Sequence, residues 1–152
     1  MTTTHYILRE TTIGTAVTVA VSVAVAILTF GGEARVALRG GPGTLEFDAL
    51  PQTFFVVLMA IAGPLGIAAR RRLARPTTVR PAVWIAVPLL ALATAVLSYG
   101  VHGVLLPGDP GVTWPATAVY VFKAVYAAVV AIPVSALVLA WALEGRTGRA
   151  AR

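Results

Sequence analysis

The ionisable side chain that lies deepest in an apolar stretch of this sequence is Lys123. It interrupts the run from Trp114 to Leu143, which contains no other charged residue. A lysine inside a membrane helix costs roughly 2.5–3.5 kcal/mol at the bilayer centre, so such a residue is by default a candidate functional group. Its amine can pair with a carboxylate, contact a phosphate at the membrane surface, or line a pocket that admits a ligand.

Two interpretations of Lys123 follow from its position. Counted from Pro115 at about 1.5 Å per residue, Lys123 lies roughly 12 Å inside its helix, and its side chain points back towards the helix start. The ammonium group can therefore extend to the membrane surface and pair there with a phosphate or a carboxylate. Alternatively, it belongs to an outward-facing polar pocket. The members of that pocket are Lys123, Tyr120, Tyr126, His102, Tyr99, Asp48 and Gln52.

The folded bundle is expected to bring Lys123 next to an acidic residue. Asp48 and Glu46 precede the second apolar run, on the same side of the membrane as the start of the Lys123 helix. The sequence therefore predicts an ion pair between Lys123 and Asp48 or Glu46.

No enzyme chemistry is expected from the other side chains. The chain has no cysteine, and its two histidines, His5 and His102, are far apart in sequence, which argues against a thiol nucleophile and a local metal-ligand pair. None of the six acidic residues falls within the core of a predicted helix, which argues against a carboxylate proton relay. We therefore predict no catalytic residue, no metal and no cofactor.

The composition is that of an integral membrane protein. Of the 152 residues, 58% are hydrophobic and 12% are charged, whereas a soluble domain has about 25% charged residues. The net charge of +6 does not indicate nucleic acid as a partner, because the basic residues flank apolar runs instead of alternating with aromatic residues on a polar face. The expected partner is the lipid bilayer.

Four apolar runs are each long enough to cross a bilayer core about 30 Å thick. They cover residues of about 11–30, 50–69, 81–106 and 114–143. Residues 17–25 alternate like a strand, but the other three runs are uniformly apolar, so helices are favoured over a membrane barrel. The predicted fold is all-α: a polytopic, compact four-transmembrane-helix bundle that forms a single membrane domain over residues 1–152.

The ends of the predicted helices carry the expected boundary residues. Asp48 is a candidate N-cap for the second helix, and proline stands near the starts of the last three helices. The first apolar run is longer than the usual 7–15 residues of a signal peptide, so we expect a retained signal anchor rather than a cleaved one.

The arginines predict the orientation of the chain. Nine of the eleven arginines lie on the side of the membrane that holds both termini, and only Arg35 and Arg39 lie on the other side. Because cytoplasmic flanks are enriched in Lys and Arg, both termini are predicted to be cytoplasmic, in the plasma (inner) membrane. The run that follows the second helix is expected to act as a topology signal and to contact anionic lipid. Its arginines are Arg70, Arg71, Arg72 and Arg75.

Small residues recur at four-residue intervals on the first helix. They are Gly14, Thr18, Ser22 and Ala26. Because membrane helices associate through close packing, this stripe is interpreted as packing within the bundle, with a dimerisation face or a pore lining as the alternative.

Two functional hypotheses remain. The first is an accessory or assembly protein without catalytic activity that contacts a larger membrane partner. The second is a homo-oligomeric small transporter or channel subunit, in which the pocket around Lys123 receives the substrate. Four helices are few to enclose a pathway, so the second hypothesis requires oligomerisation.

Overall fold

The protein is described by a computed structural model over residues 3–71, 81–109 and 111–143. Four helices contain most of these residues: α1 (Thr3–Phe30), α2 (Leu45–Arg70), α3 (Pro81–Leu105) and α4 (Ala116–Leu143). All four are long and apolar enough to span a membrane. The predicted all-α, four-helix bundle is confirmed.

Two helices begin earlier than the apolar runs predict. The first begins at Thr3 instead of near Thr11, and the second begins at Leu45 instead of near Leu50. The added turns contain charged side chains, which hydropathy excludes but which the end of a membrane helix accommodates near the water interface.

The N-cap of α2 is Thr44 and not Asp48. The Thr44 hydroxyl accepts a hydrogen bond from the backbone N–H of Phe47 at 3.4 Å, which satisfies one of the unpaired donors at the helix start. Asp48 instead lies in the first turn of α2. Its carboxylate is therefore available to a partner elsewhere in the bundle.

A short antiparallel β-ribbon joins two loops at one end of the bundle. Strand β1 (Arg35–Ala37) pairs with strand β2 (Thr113–Pro115). The Arg35 guanidinium also donates hydrogen bonds to the hydroxyl and the carbonyl of Thr113, at 2.7 and 2.9 Å. Strands of three residues are too short to produce a recognisable sequence period, so the ribbon was not predicted. We call this end of the bundle the ribbon end and the opposite end, where α2 stops, the arginine end.

Helix α4 packs against its neighbours through one face. Its buried side chains recur at every fourth residue, at Val119, Lys123, Ala127, Ala131, Ser135 and Leu139. Helix α1 packs mainly against α4, and α2 packs against both α3 and α4. On α1, Thr18, Ser22 and Ala26 are buried and Gly14 is half-buried, so the small residues face the interior of the bundle.

A hydrogen bond between helices compensates for a proline inside α2. Pro64 has no N–H, so the carbonyl of Ala60, four residues earlier, lacks its helical donor. The hydroxyl of Ser135 on α4 donates a hydrogen bond to this carbonyl at 3.0 Å. Both Ala60 and Ser135 are buried. The bond supplies a donor that water would supply in a soluble protein.

Candidate functional site

An ion pair lies inside the bundle between Lys123 of α4 and Asp48 of α2. The Lys123 side chain is 1% exposed and that of Asp48 is 10% exposed. The ammonium nitrogen also lies 5.2 Å from the centroid of the Phe30 ring. The predicted ion pair is confirmed with Asp48 as the acidic partner, whereas Glu46 pairs with Arg39 at 3.5 Å.

The directions of α2 and α4 explain why the two charges meet. Both helices start at the ribbon end, so Asp48 lies in the first turn of α2 and Lys123 lies about 11 Å along α4. The lysine side chain points towards its own helix start and reaches the carboxylate. Val119 and Leu45, one turn nearer the ribbon end, belong to a buried apolar cluster. Lys123 therefore ends at the carboxylate inside the bundle and does not extend to the surface.

Gln52 connects the ion pair to α1. It lies one turn beyond Asp48 on α2, and its amide donates to the Ser22 hydroxyl at 2.8 Å and to the Lys123 carbonyl at 3.4 Å. Gln52, Ser22 and Lys123 are all buried. We call Asp48, Lys123, Gln52 and Ser22 the charged network; it joins α1, α2 and α4.

A second network consists of hydroxyl groups and one imidazole. The Thr53 hydroxyl lies 2.9 Å from that of Ser98 and 2.7 Å from that of Tyr126, and the Ser98 and Tyr126 hydroxyls are 2.7 Å apart. His102 Nδ1 donates to the Ser98 carbonyl at 2.8 Å. We call these four residues the hydroxyl network; it joins α2, α3 and α4.

The structure separates the residues that the sequence placed in one pocket. Lys123, Asp48 and Gln52 belong to the charged network, and Tyr126 and His102 belong to the hydroxyl network. Tyr99 is 37% exposed and Tyr120 packs against the apolar cluster at the ribbon end. The residues predicted to share one pocket thus belong to two interior networks or, for Tyr99 and Tyr120, to neither.

Sequence reasoning missed two members of the hydroxyl network. Thr53 is fully buried and Ser98 is nearly so, yet both stand in apolar runs where a hydroxyl is common. The spacing of Ser98 and His102 could have indicated that Ser98 belongs to the site. Ser98 precedes His102 by four residues and therefore lies on the same helix face.

Two cavities lie beside the networks. One, of about 270 Å³, lies between α1 and α2, and its mostly apolar wall includes Gln52 and Lys123. The other, of about 310 Å³, lies near the ribbon end, and its lining includes His102, Tyr126 and Trp114. Each network therefore borders a cavity with a mainly hydrocarbon lining.

At the arginine end, a third ion pair joins the end of α2 to α1. Arg71 pairs with Glu10 at 3.0 Å, and its guanidinium lies 5.8 Å from the centroid of the Tyr6 ring. Arg70 is exposed. Arg72 and Arg75, which were predicted to contact anionic lipid, lie outside the described residues. Among the residues that are described, no three His, Asp or Glu side chains are grouped as a metal site requires.

Comparison with known proteins identifies no relative. The chain matches no protein-family model, no curated protein and no solved structure. Its function must therefore be inferred from the ion pair, the two networks and the surfaces of the bundle.

Proposed function

We propose that this chain is a non-catalytic accessory protein of a bacterial plasma membrane, which acts through its lateral surfaces on a larger membrane partner. The observation that carries the proposal is the bonding within the charged network and the hydroxyl network inside the bundle. Lys123 pairs with Asp48, and Thr53 bonds to Ser98 and Tyr126. Satisfied networks of this kind hold helices in one arrangement, which suits a rigid binding surface.

Helix α3 supplies the surface that best fits a partner. It buries five of its 25 residues, whereas α2 buries twelve of 26. Leu90, Val96 and Leu97 are among its exposed apolar side chains. The packing of α3 against α2 leaves this face to lipid or to another membrane helix. We take it as the contact surface of the accessory protein.

Photo-crosslinking in intact cells tests this surface. With a photoreactive amino acid at Leu97 or at Leu90, two turns earlier on the same face, we expect one discrete product that contains the same membrane protein. The matched control is Leu28 of α1, which is also exposed. Equal products from all three positions, or none from α3, would overturn the accessory function.

A transporter subunit is the second candidate, because Lys123 and Gln52 line the cavity between α1 and α2. Purified chain in sealed vesicles distinguishes the two functions. The accessory protein leaves imposed K⁺ and proton gradients to decay at the rate of protein-free vesicles. Decay that is faster with the native chain, and slow again with the double variant Lys123→Met/Asp48→Asn, would establish transport instead.

We further propose that the arginine end faces the cytoplasm, so that both termini are cytoplasmic. Arg9, Arg70 and Arg71 are exposed at this end. Short cytoplasmic flanks carry an excess of arginine, which supports this orientation.

Single cysteines test the orientation directly, since the chain has none of its own. We expect a membrane-impermeant maleimide to label Gly32→Cys on intact cells and to label Thr4→Cys only after permeabilisation. Both positions are exposed, and a side chain at position 32 meets open space. Labelling of Thr4→Cys but not Gly32→Cys on intact cells would reverse the topology.

A further inference from the structure

A continuous groove runs between α1 and α2. The cavity beside Lys123 and a second cavity of about 390 Å³, nearer the arginine end, share Thr18 and Met59 as lining residues. Val17 and Phe55 on its two walls are exposed, so the groove opens sideways to the membrane interior. We call the two cavities together the α1–α2 groove.

The groove is long and mainly apolar. On α2 it extends from Pro51 to Ile67, which is about 24 Å of helix. The two cavities, of about 270 and 390 Å³, follow one another along that length. A hydrocarbon chain, whose atoms pack about 4 Å from their neighbours, can lie in an apolar groove of this length.

A cation stands at the arginine end of the groove. Arg70 follows Ile67, which lines the groove, by three residues, so the two lie on the same face of α2. Arg70 is exposed, and no ion pair joins it to another described residue. The acidic residue of the groove, Glu10, is already paired with Arg71. The free charge at the mouth is therefore positive.

We propose that the α1–α2 groove is a binding site for an anionic phospholipid. One acyl chain lies between α1 and α2, and the phosphate lies at Arg70. Charge and polarity together indicate the occupant: a guanidinium recognises a phosphate, and the mainly apolar groove accepts a hydrocarbon chain. This site is additional to the accessory function and does not depend on it.

Two glycines allow the site to be blocked without disturbing the packing. Gly63 lines the groove, and a Cβ atom added there meets no heavy atom within 4 Å. Gly63→Leu therefore places its side chain where the acyl chain would lie. Gly14→Leu does so from the opposite wall, where the space is also open, and serves if Gly63→Leu does not fold. Gly100→Leu, an exposed and equally open position on α3, is the matched control.

The experiment counts bound lipid by native mass spectrometry on the full chain in mild detergent. The probes are phosphatidylglycerol and phosphatidylcholine with identical acyl chains. We expect one phosphatidylglycerol per chain, bound about fivefold more tightly than phosphatidylcholine, as about 1 kcal/mol for one arginine implies. Arg70→Gln should remove this preference, and Gly63→Leu should abolish binding of both lipids.

The controls distinguish a specific lipid site in the groove from general attraction between surface arginines and anionic lipid. Arg9→Gln removes an exposed charge at the same end of the bundle and should leave the preference unchanged. Inorganic phosphate should not compete, because it has no chain to occupy the groove. Equal losses in Arg9→Gln and Arg70→Gln, or unchanged binding in both Gly63→Leu and Gly14→Leu, would overturn the proposal. None of these readouts depends on transport or on a partner, so the accessory function can fail while the lipid site stands.

Discussion

Asp48→Asn is expected to destabilise the bundle by about 3–5 kcal/mol, because it leaves the Lys123 ammonium buried without an opposite charge. Asparagine keeps the size of the side chain, so the loss reports the charge and not a cavity. The Lys123 side chain is too enclosed to turn to water without displacing its neighbours. The free energy of unfolding in mixed micelles, followed by circular dichroism during titration with SDS, measures the effect.

Removing both charges should restore most of this stability. In Asp48→Asn/Lys123→Met no buried charge remains, and methionine fills much of the space of the lysine, so we expect recovery to within about 1–2 kcal/mol of the native chain. Glu46→Gln is the control, since its ion pair with Arg39 is partly exposed and is worth at most about 1 kcal/mol. If Asp48→Asn costs no more than Glu46→Gln, the buried pair does not carry the stability assigned to it.

Ser135→Ala is expected to cost about 1–3 kcal/mol, although it removes a single oxygen atom. The loss of stability arises on the neighbouring helix, because the carbonyl of Ala60 on α2 is then left buried without a donor. The same unfolding titration measures it. Thr12→Ala, in which the lost hydroxyl is exposed and bonded within its own helix, is the control and should change stability by less than about 0.5 kcal/mol.

Pro64 allows a direct test of whether Ser135 acts through the Ala60 carbonyl. Pro64→Ala returns an N–H to α2, which can donate to the Ala60 carbonyl in place of Ser135. In the Pro64→Ala background, Ser135→Ala should therefore cost less than about 0.5 kcal/mol, and the difference between backgrounds is the coupling of the two sites. Equal costs in both backgrounds would show that Ser135 acts through packing alone.

The helices could be predicted from hydropathy, but their true ends could not. The apolar runs stop at Glu10 and near Asp48, so a hydropathy profile places the helix ends there. The helices continue past these residues, and both carboxylates have cationic partners, Arg71 and Lys123, elsewhere in the bundle. Pairing between residues of different helices is a tertiary interaction. A hydropathy average over neighbouring residues does not reveal it.

The ion pair of the candidate site could be predicted, because it depends on the depth of two residues in the membrane and on the direction of one side chain. Lys123 and Asp48 lie near the same membrane surface, and a helical lysine points towards its helix start, so their pairing follows from the sequence. The contact between Thr53 and Ser98 depends instead on how α2 and α3 are rotated about their axes. A hydroxyl in an apolar run does not reveal that rotation. The sequence therefore grouped the residues of both networks in a single pocket.

The packing of α1 against α4 has a consequence for biosynthesis. Helix α1 is synthesised before α2 and α3, yet it meets its main partner only when α4 has been made. Until then Asp48 has no lysine to neutralise it, and Ser22 has no enclosed bundle around it. A chain that stops after α3 carries an uncompensated carboxylate at the membrane surface. The pairing of Asp48 therefore depends on the synthesis of α4.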